Sequence, residues 1–255
     1  GARVVCVDAR FRHLAPTERG LPVIVIGDGT GASDIDCAQA LAQESEDCPA
    51  VRYARDEPAA IIYTSGSTGR PKGCVIAANL PAAMWPYARY GLDLRPDDVF
   101  WPTGDPGWGY GLCCYLPALT MGCGVVSVEA NASAQVCLDV LARYSVTNLA
   151  TTPTVLRSLM AMGNAVSGGG SSLRAISSCG EPLNAEVVEF FSRAWGTIPM
   201  DHFGATELGL PIGNHNALSM AVKPGSMGLP APGQAMAIVD EQGEELPAGT
   251  VGLIA

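Results

Sequence analysis

Four threonine and serine hydroxyls (Thr64, Ser65, Ser67, Thr68), three glycines (Gly66, Gly69, Gly73) and one lysine (Lys72) crowd the stretch YTSGSTGRPKG, 63–73. It follows the apolar run AAII, 59–62. Glycines let a backbone bend until several amides face one anion, and hydroxyls add further donors. A lysine ammonium supplies a point charge for phosphate oxygens. The spacing is not that of a Walker A loop, which needs glycine, four residues, then Gly-Lys-Ser/Thr. Here Lys72 follows Pro71, and Gly73 stands where a hydroxyl would be required. A plain strand-to-helix turn of small residues is the competing reading. The concentration of donors favours a phosphate cradle over it.

Such a loop has to be held by a folded frame, and the chain alternates short apolar runs with helix-like segments. That is the pattern of an α/β fold: a layered, mostly parallel sheet with flanking helices. Strands are expected at 3–8, 22–26, 59–63, 123–128, 146–150, 173–178 and 197–200, and helices at 34–43, 134–144 and 185–195. In the second helix Cys137, Val140, Leu141 and Tyr144 recur at helical spacing and predict one buried stripe. Asn184 is a good N-cap for the third, which should bury Val187, Phe191 and Trp195. A further helix from about Asn79 should break or kink at Pro86. SGGGSS, 167–172, reads as a flexible connector. Beyond about residue 216, turns at 224–225, 230–233, 242–243 and 247–249 separate short runs and predict a short antiparallel β segment.

The bulk numbers narrow the function classes. With 48% hydrophobic and 16% charged residues over 255 positions, the chain is globular and well buried. Its net charge of −10 opposes broad attraction to nucleic acid or anionic lipid. The nine cysteines show no C-x-x-C pair, so no zinc framework is visible; most sit inside apolar runs and read as small buried hydrophobes, in a reducing, cytoplasmic setting. The uncharged run 106–128 is long enough to span a bilayer, but its glycines and prolines fit a helix end, a turn and a buried strand better. No membrane span is expected.

Three further segments appear in order after the loop: Cys179-Gly-Glu-Pro-Leu183, Asp201-His-Phe-Gly-Ala-Thr-Glu-Leu-Gly209, and KPGSMGLPAPG (223–233) followed by EELPAGTVGLI (244–254). Together with 63–73 they resemble the signature motifs of the adenylate-forming superfamily, which includes acyl-CoA synthetases, luciferases and the adenylation domains of peptide synthetases. The resemblance is nearest to acetate- and medium-chain acyl-CoA synthetases, and residues before about 56 follow it only in general pattern. It implies a large domain that activates a carboxylic acid with ATP to acyl-AMP and then passes the acyl group to a thiol, commonly coenzyme A. The implied setting is fatty acid metabolism.

Carried onto this sequence, the resemblance implies that Thr64, Ser65, Gly66, Ser67, Thr68, Gly69 and Lys72 hold the leaving phosphates of ATP. Thr206 would meet the α-phosphate and Glu207 would hold Mg²⁺. Gly180, Glu181, Pro182, Asp201, His202 and Phe203 would wall the adenine of ATP or AMP. Trp108, within GDPGWGYG (104–111), would line the acyl pocket. Gly204 occupies the position where acetate-specific members carry a tryptophan, which favours a medium-chain or aryl acid. Taken singly, Glu207 reads as a surface carboxylate, 180–182 as a turn, and Phe203 or Trp108 as core. Only their order relative to the loop lifts the functional reading. His13 and His215 are expected to be structural.

The resemblance also implies a division into 1–55, the end of a preceding α/β subdomain; 56–216, a nucleotide- and acyl-binding α/β subdomain; and 217–255, the start of a β-rich subdomain. The family's C-terminal catalytic domain, with its lysine, and the Thr-Gly-Asp segment before it are not found here. Both ends lie in strand-like runs, so a piece of a longer chain, weak or inactive by itself, is expected. An adenylation domain loading a carrier protein and a non-catalytic nucleotide-binding module remain open alternatives. Oligomeric state is not legible.

Overall fold

The computed structural model describes residues 2–16, 20–65, 69–130 and 132–255. The chain divides into two compact units, Gly1–Arg52 and Tyr53–Ala255.

The first unit is a three-stranded parallel sheet of β1 (Val5–Asp8), β2 (Val23–Ile26) and β3 (Ile35–Asp36), with α1 (Cys37–Leu41) following directly. Two aspartates set local starts. Asp8 accepts from the Arg10 amide to open a 3₁₀ turn, and Asp36 accepts from the Gln39 amide to cap α1. Its small core is Ala15, Val23 and Val25. The expected helix at 34–43 is thus shortened, because its first residues pair with β2 as a strand.

In the second unit β4 (Pro58–Thr64) and β5 (Lys72–Ala77) form an antiparallel ribbon. A short α2 (Leu80–Ala83) follows, and Pro86 then opens a single π-helical turn, Tyr87–Gly91. The break expected at Pro86 is therefore present, since its ring cannot continue the helix hydrogen bonding. Next come β6 (Val99–Pro102), α3 (Gly109–Thr120), β7 (Gly124–Val125), α4 (Ala134–Tyr144), β8 (Asn148–Thr151), α5 (Pro153–Met160), β9 (Ala175–Cys179), α6 (Ala185–Trp195), β10 (Pro199–Ala205), β11 (Gly209–Gly213) and β12 (Leu229–Pro230). They build one seven-stranded sheet in the order β12-β11-β10-β9-β8-β6-β7. β10, β9, β8, β6 and β7 run parallel, and β11 and β12 add an antiparallel edge. A separate antiparallel pair, β13 (Ile238–Val239) with β14 (Leu253–Ile254), lies near the end of the chain. The fold is the expected mixed α/β architecture.

One face of the sheet packs on α4, α5 and α6 through a core that includes Trp101, Leu141, Leu149, Leu156, Ile176 and Phe191. The other packs on α3 and the π turn through Tyr87, Leu92, Phe100, Tyr110 and Cys114. The amphipathic helices α4 and α6 occupy the spans their periodicity predicts, whereas the equally amphipathic α5 lies outside the expected helices. Two end residues differ. Tyr144 is exposed, its ring lying under the Arg143 guanidinium at the helix end. Trp195 is half-buried and donates its indole N–H to the Val166 carbonyl at 2.8 Å. The supposed connector 167–172 is where that indole rests. A Cβ at Gly170 would lie 2.3 Å from the ring, so glycine here serves close packing. Among the described residues no helix is long and apolar enough to cross a membrane.

Candidate active site

The glycine-rich stretch closes the β4–β5 ribbon, with Thr64 paired opposite Lys72. It is therefore a hairpin loop and not a strand-to-helix turn. Thr64 is half-buried, whereas Ser65, Gly69 and Lys72 are exposed, and Gly69 has a φ of +84° that suits glycine. Gly66, Ser67 and Thr68 lie outside the described residues.

Thr206 and Glu207 sit in the tight turn joining β10 to β11, closed by the Leu208 amide donating to the Ala205 carbonyl at 3.0 Å. The Cys74 thiol of β5 reaches the Thr206 carbonyl at 3.5 Å and ties the ribbon to this turn. Beneath the ribbon a cavity of about 250 Å³ is bordered by Cys74, Met84, Leu112, Thr206, Glu207 and Leu210, among others. A second, of about 200 Å³, is lined by Trp108, Tyr110, Cys113, Cys179, Gly180, Gly204 and Thr206. The two share Gly109, Cys113, Thr206, Gly209 and Leu210. Gly109 is the neck between them: a Cβ there would come within 2.7 Å of the Thr206 hydroxyl. Lys72, Thr64, Ser65 and Gly69 border neither space.

A third cavity, of about 550 Å³, is formed by 180–184, 201–204, Gly225 and Met227, and meets the second at Gly180 and Gly204. It lies at the carboxyl ends of β9 and β10, where parallel sheets commonly present ligand crevices. Its polar groups are unequal. Asp201 is 6% exposed, accepts from the Leu183 amide through Oδ2 at 3.4 Å, and leaves Oδ1 without a partner among the described residues. Burial pushes its carboxyl up to about 6. Neighbouring His202 points to the opposite face of β10. Its Nε2 lies 3.1 Å from the Asn214 carbonyl, which can only accept, so the proton sits there and Nδ1 accepts from the Tyr87 hydroxyl at 2.9 Å. Burial pushes the imidazole down to about 4, which keeps it neutral.

Glu181 borders the third cavity, with its carboxylate bonded to α5. Its carboxylate accepts from the Thr154 hydroxyl at 2.7 Å and from the Arg157 guanidinium, and these contacts hold it below the usual carboxylate range. Trp108 is 42% exposed and is not a core residue. It stands edge-on to Tyr110, and its ring lies 3.1 Å from where a Gly180 Cβ would be. Gly204 has a backbone reason of its own. A Cβ there would meet the Gly209 carbonyl at 2.1 Å, inside the irregular β10–β11 pairing. The thiols of Cys113 and Cys179 are pushed by burial up to about 11 and about 12, so they remain protonated and unreactive at neutral pH.

The AMP-binding enzyme family matches residues 1–255, the whole chain. The chain belongs to that family. It is 32% identical over 264 residues to the acetyl-coenzyme A synthetase of Bacillus subtilis (strain 168), covering 100% of this chain and 46% of that protein. Against the acetyl-coenzyme A synthetase of Alkalilimnicola ehrlichii it is 35% identical over 232 residues, 86% of this chain and 36% of that one. The crystal structure of an acyl-CoA synthetase from Brucella canis superposes with a TM-score of 0.91 at 35% identity, over 100% of this chain and 48% of that one. An anthranilate CoA ligase, AuaEII, crystallised with anthranoyl-AMP, gives 0.88 at 26% identity over 99% and 50%. The chain thus spans half or less of the length of these relatives.

Several residues around these cavities have no counterpart among the motif residues. Tyr87, Cys113, Thr154 and Arg157 all border or brace the three cavities, yet none belongs to a quoted motif. Their signal was weak: an isolated tyrosine, a thiol in an apolar run, and an i, i+3 polar pair at the start of α5.

Proposed function

We infer that this chain carries the nucleotide- and acyl-binding part of an AMP-forming acid–thiol ligase. The reading divides it as 1–55, 56–216 and 217–255. The observation that carries it is the position of Thr206. Its hydroxyl stands at the neck shared by two cavities, the third opens beside it at Gly180 and Gly204, and its carbonyl is tied to the ribbon that bears Lys72.

A nucleotide base in the third cavity would meet Asp201 and Phe203, and the 180–182 backbone would form its rim. Its phosphates would then pass Thr206 toward the hairpin loop, where hydroxyls, amides and Lys72 meet the leaving pyrophosphate. The acid would enter beside Trp108 with its carboxylate at Thr206. Holding the two anionic reactants in line is the main task of such a site, and it is done by these donors. Glu207 is an exposed oxygen donor beside Thr206, and no group of three or more His, Cys, Asp or Glu side chains clusters among the described residues. This donor set suits Mg²⁺, which binds through one or two carboxylates completed by phosphate and water. When bound there it would offset charge on the phosphate oxygens. Coenzyme A is the proposed thiol acceptor.

The acid is proposed to be medium-chain or aryl. The support is spatial: the space beside Trp108 continues past Gly109 and Cys113 toward the apolar side chains of Met84, Leu112 and Leu210 in the first cavity. Carboxylate-dependent ATP–pyrophosphate exchange on this chain, with Mg²⁺ and acids from acetate to decanoate plus benzoate, tests the reading. Exchange with the longer or aromatic acids is the expected result. Exchange with acetate alone overturns the substrate assignment. Absence of both exchange and AMP binding overturns the function.

A further inference from the structure

Glu181 lies on the rim of the third cavity between Gly180, whose φ is +99°, and Pro182. Its carboxylate is nonetheless committed elsewhere. Thr154 Oγ1 lies 2.7 Å from one carboxylate oxygen and 2.9 Å from the other, and Arg157 Nη2 contacts the second oxygen. The same Nη2 donates to Thr154 Oγ1 at 2.8 Å, which orders all three side chains. Thr154 and Arg157 are three apart on α5 and so project from one face. The helix is itself anchored. Thr152 caps the Val155 amide, Pro153 stands in the first turn, and Leu156 and Leu159 are fully buried in the core.

The pair is part-exposed, with side-chain accessibilities of 37% and 39%. Exposed ion pairs add little to folding stability. The consequence to look for is positional. We propose that Arg157, with Thr154, is a positioning residue for the nucleotide: it pins Glu181 against α5, so that the carboxylate stays out of the cavity and the 180–183 backbone is presented in one conformation. Freed from this clamp, Glu181 adds an unpaired negative charge and several rotamers to the rim of a site meant for an anionic nucleotide. Ordering one such side chain on binding weakens affinity by about threefold to tenfold. The proposal rests on the third cavity being the nucleotide site.

The test is calorimetric titration of AMP into the wild-type chain and into the variants Arg157→Gln, Arg157→Lys and Thr154→Val, each with its melting temperature. Arg157→Gln should lose about threefold to tenfold in AMP affinity with its melting temperature within a degree or two of wild type. Arg157→Lys, which keeps the charge, should recover part of the loss. Glu181→Gln combined with Arg157→Gln should also recover affinity, because the stray charge is gone. Wild-type affinity in Arg157→Gln overturns the proposal. So does a loss that tracks a lowered melting temperature and is not rescued by lysine, which marks a purely structural role. A wild-type chain that does not bind AMP overturns the nucleotide assignment of the cavity itself, and this proposal with it.

Discussion

The two strands that lead into the candidate site could hardly differ more in burial. In β4 only Ile62 of seven residues is buried, and Ile61 and Tyr63 face solvent beside Val75 of β5. In β9 all five residues are buried, with β8 and β10 paired on either side and α6 packed on the sheet. One half of the proposed ATP site therefore rides on an exposed ribbon. The other is the end of a close-packed parallel sheet. The ribbon's chemistry is local: glycines, hydroxyls and one lysine within a single loop. The sheet's chemistry is assembled from residues far apart in sequence, such as Thr154, Glu181 and Asp201, and only packing brings them together.

The sharpest way to break this comparison is to cut into the sheet side. Phe191 is fully buried, and Phe191→Ala should cost about 3–5 kcal/mol and abolish cooperative melting near physiological temperature. Thermal or urea unfolding reads this, and a loss under 1 kcal/mol would deny that the sheet is the rigid half. Lys72→Ala on the ribbon should leave melting unchanged. Its cost should fall on the nucleotide instead, about 1.5–3 kcal/mol for a lost charged hydrogen bond, read as weaker ATP–Mg²⁺ binding. Glu207→Gln should act in the same direction. Wild-type ATP binding in both would remove the phosphate role from the ribbon.

Two neighbours on β10 give a subtler, pH-dependent contrast. Asp201 has its folded value raised to about 6, so the folded state holds the proton more tightly than the unfolded state. Its stabilising contribution is complete below the ordinary carboxylate value and is lost as pH rises toward about 6. His202 has its folded value lowered to about 4, so its stability is present above its ordinary value and lost as pH falls toward about 4. The windows overlap and the slopes oppose. Asp201→Asn should remove the first and leave stability that falls more steeply on acidification between these values. It should also raise the melting temperature at pH 7.5. Melting curves across this range check the sign, and an unchanged profile would show that Asp201 is not strained by burial. Smallest of all, Ile61→Thr on the exposed ribbon face should change stability by no more than about 0.5 kcal/mol.

These contrasts match what could be read in advance. α4 and α6 were legible to the residue because each buries one stripe at helical spacing; Asn184 stands at the expected N-cap position of α6 but makes no side-chain cap bond, whereas Ser133, not singled out in the sequence, caps α4. β6 was not, since VFWP is short and ends in proline. α3 was obscured by Gly109, Gly111 and Pro117. Gly111 is there because a Cβ would lie 2.0 Å from the Asp105 carbonyl, a constraint that exists only once the preceding loop is folded back. Gly204 teaches the same lesson. Its lack of a side chain reads as an open pocket, whereas the backbone of β11 requires it in any case.

What this sequence determined alone was therefore everything governed by near neighbours: the alternation of elements, the helical stripes, and the phosphate-suited composition of 63–73. Motif order added the family. Tertiary structure decided the rest: that the loop closes a ribbon, that His202 turns to Tyr87 while Asp201 stays on the cavity side, and that Glu181 is held by α5. Those outcomes depend on which buried polar groups find partners, and partners from distant strands and helices are set by packing, not by spacing along the chain.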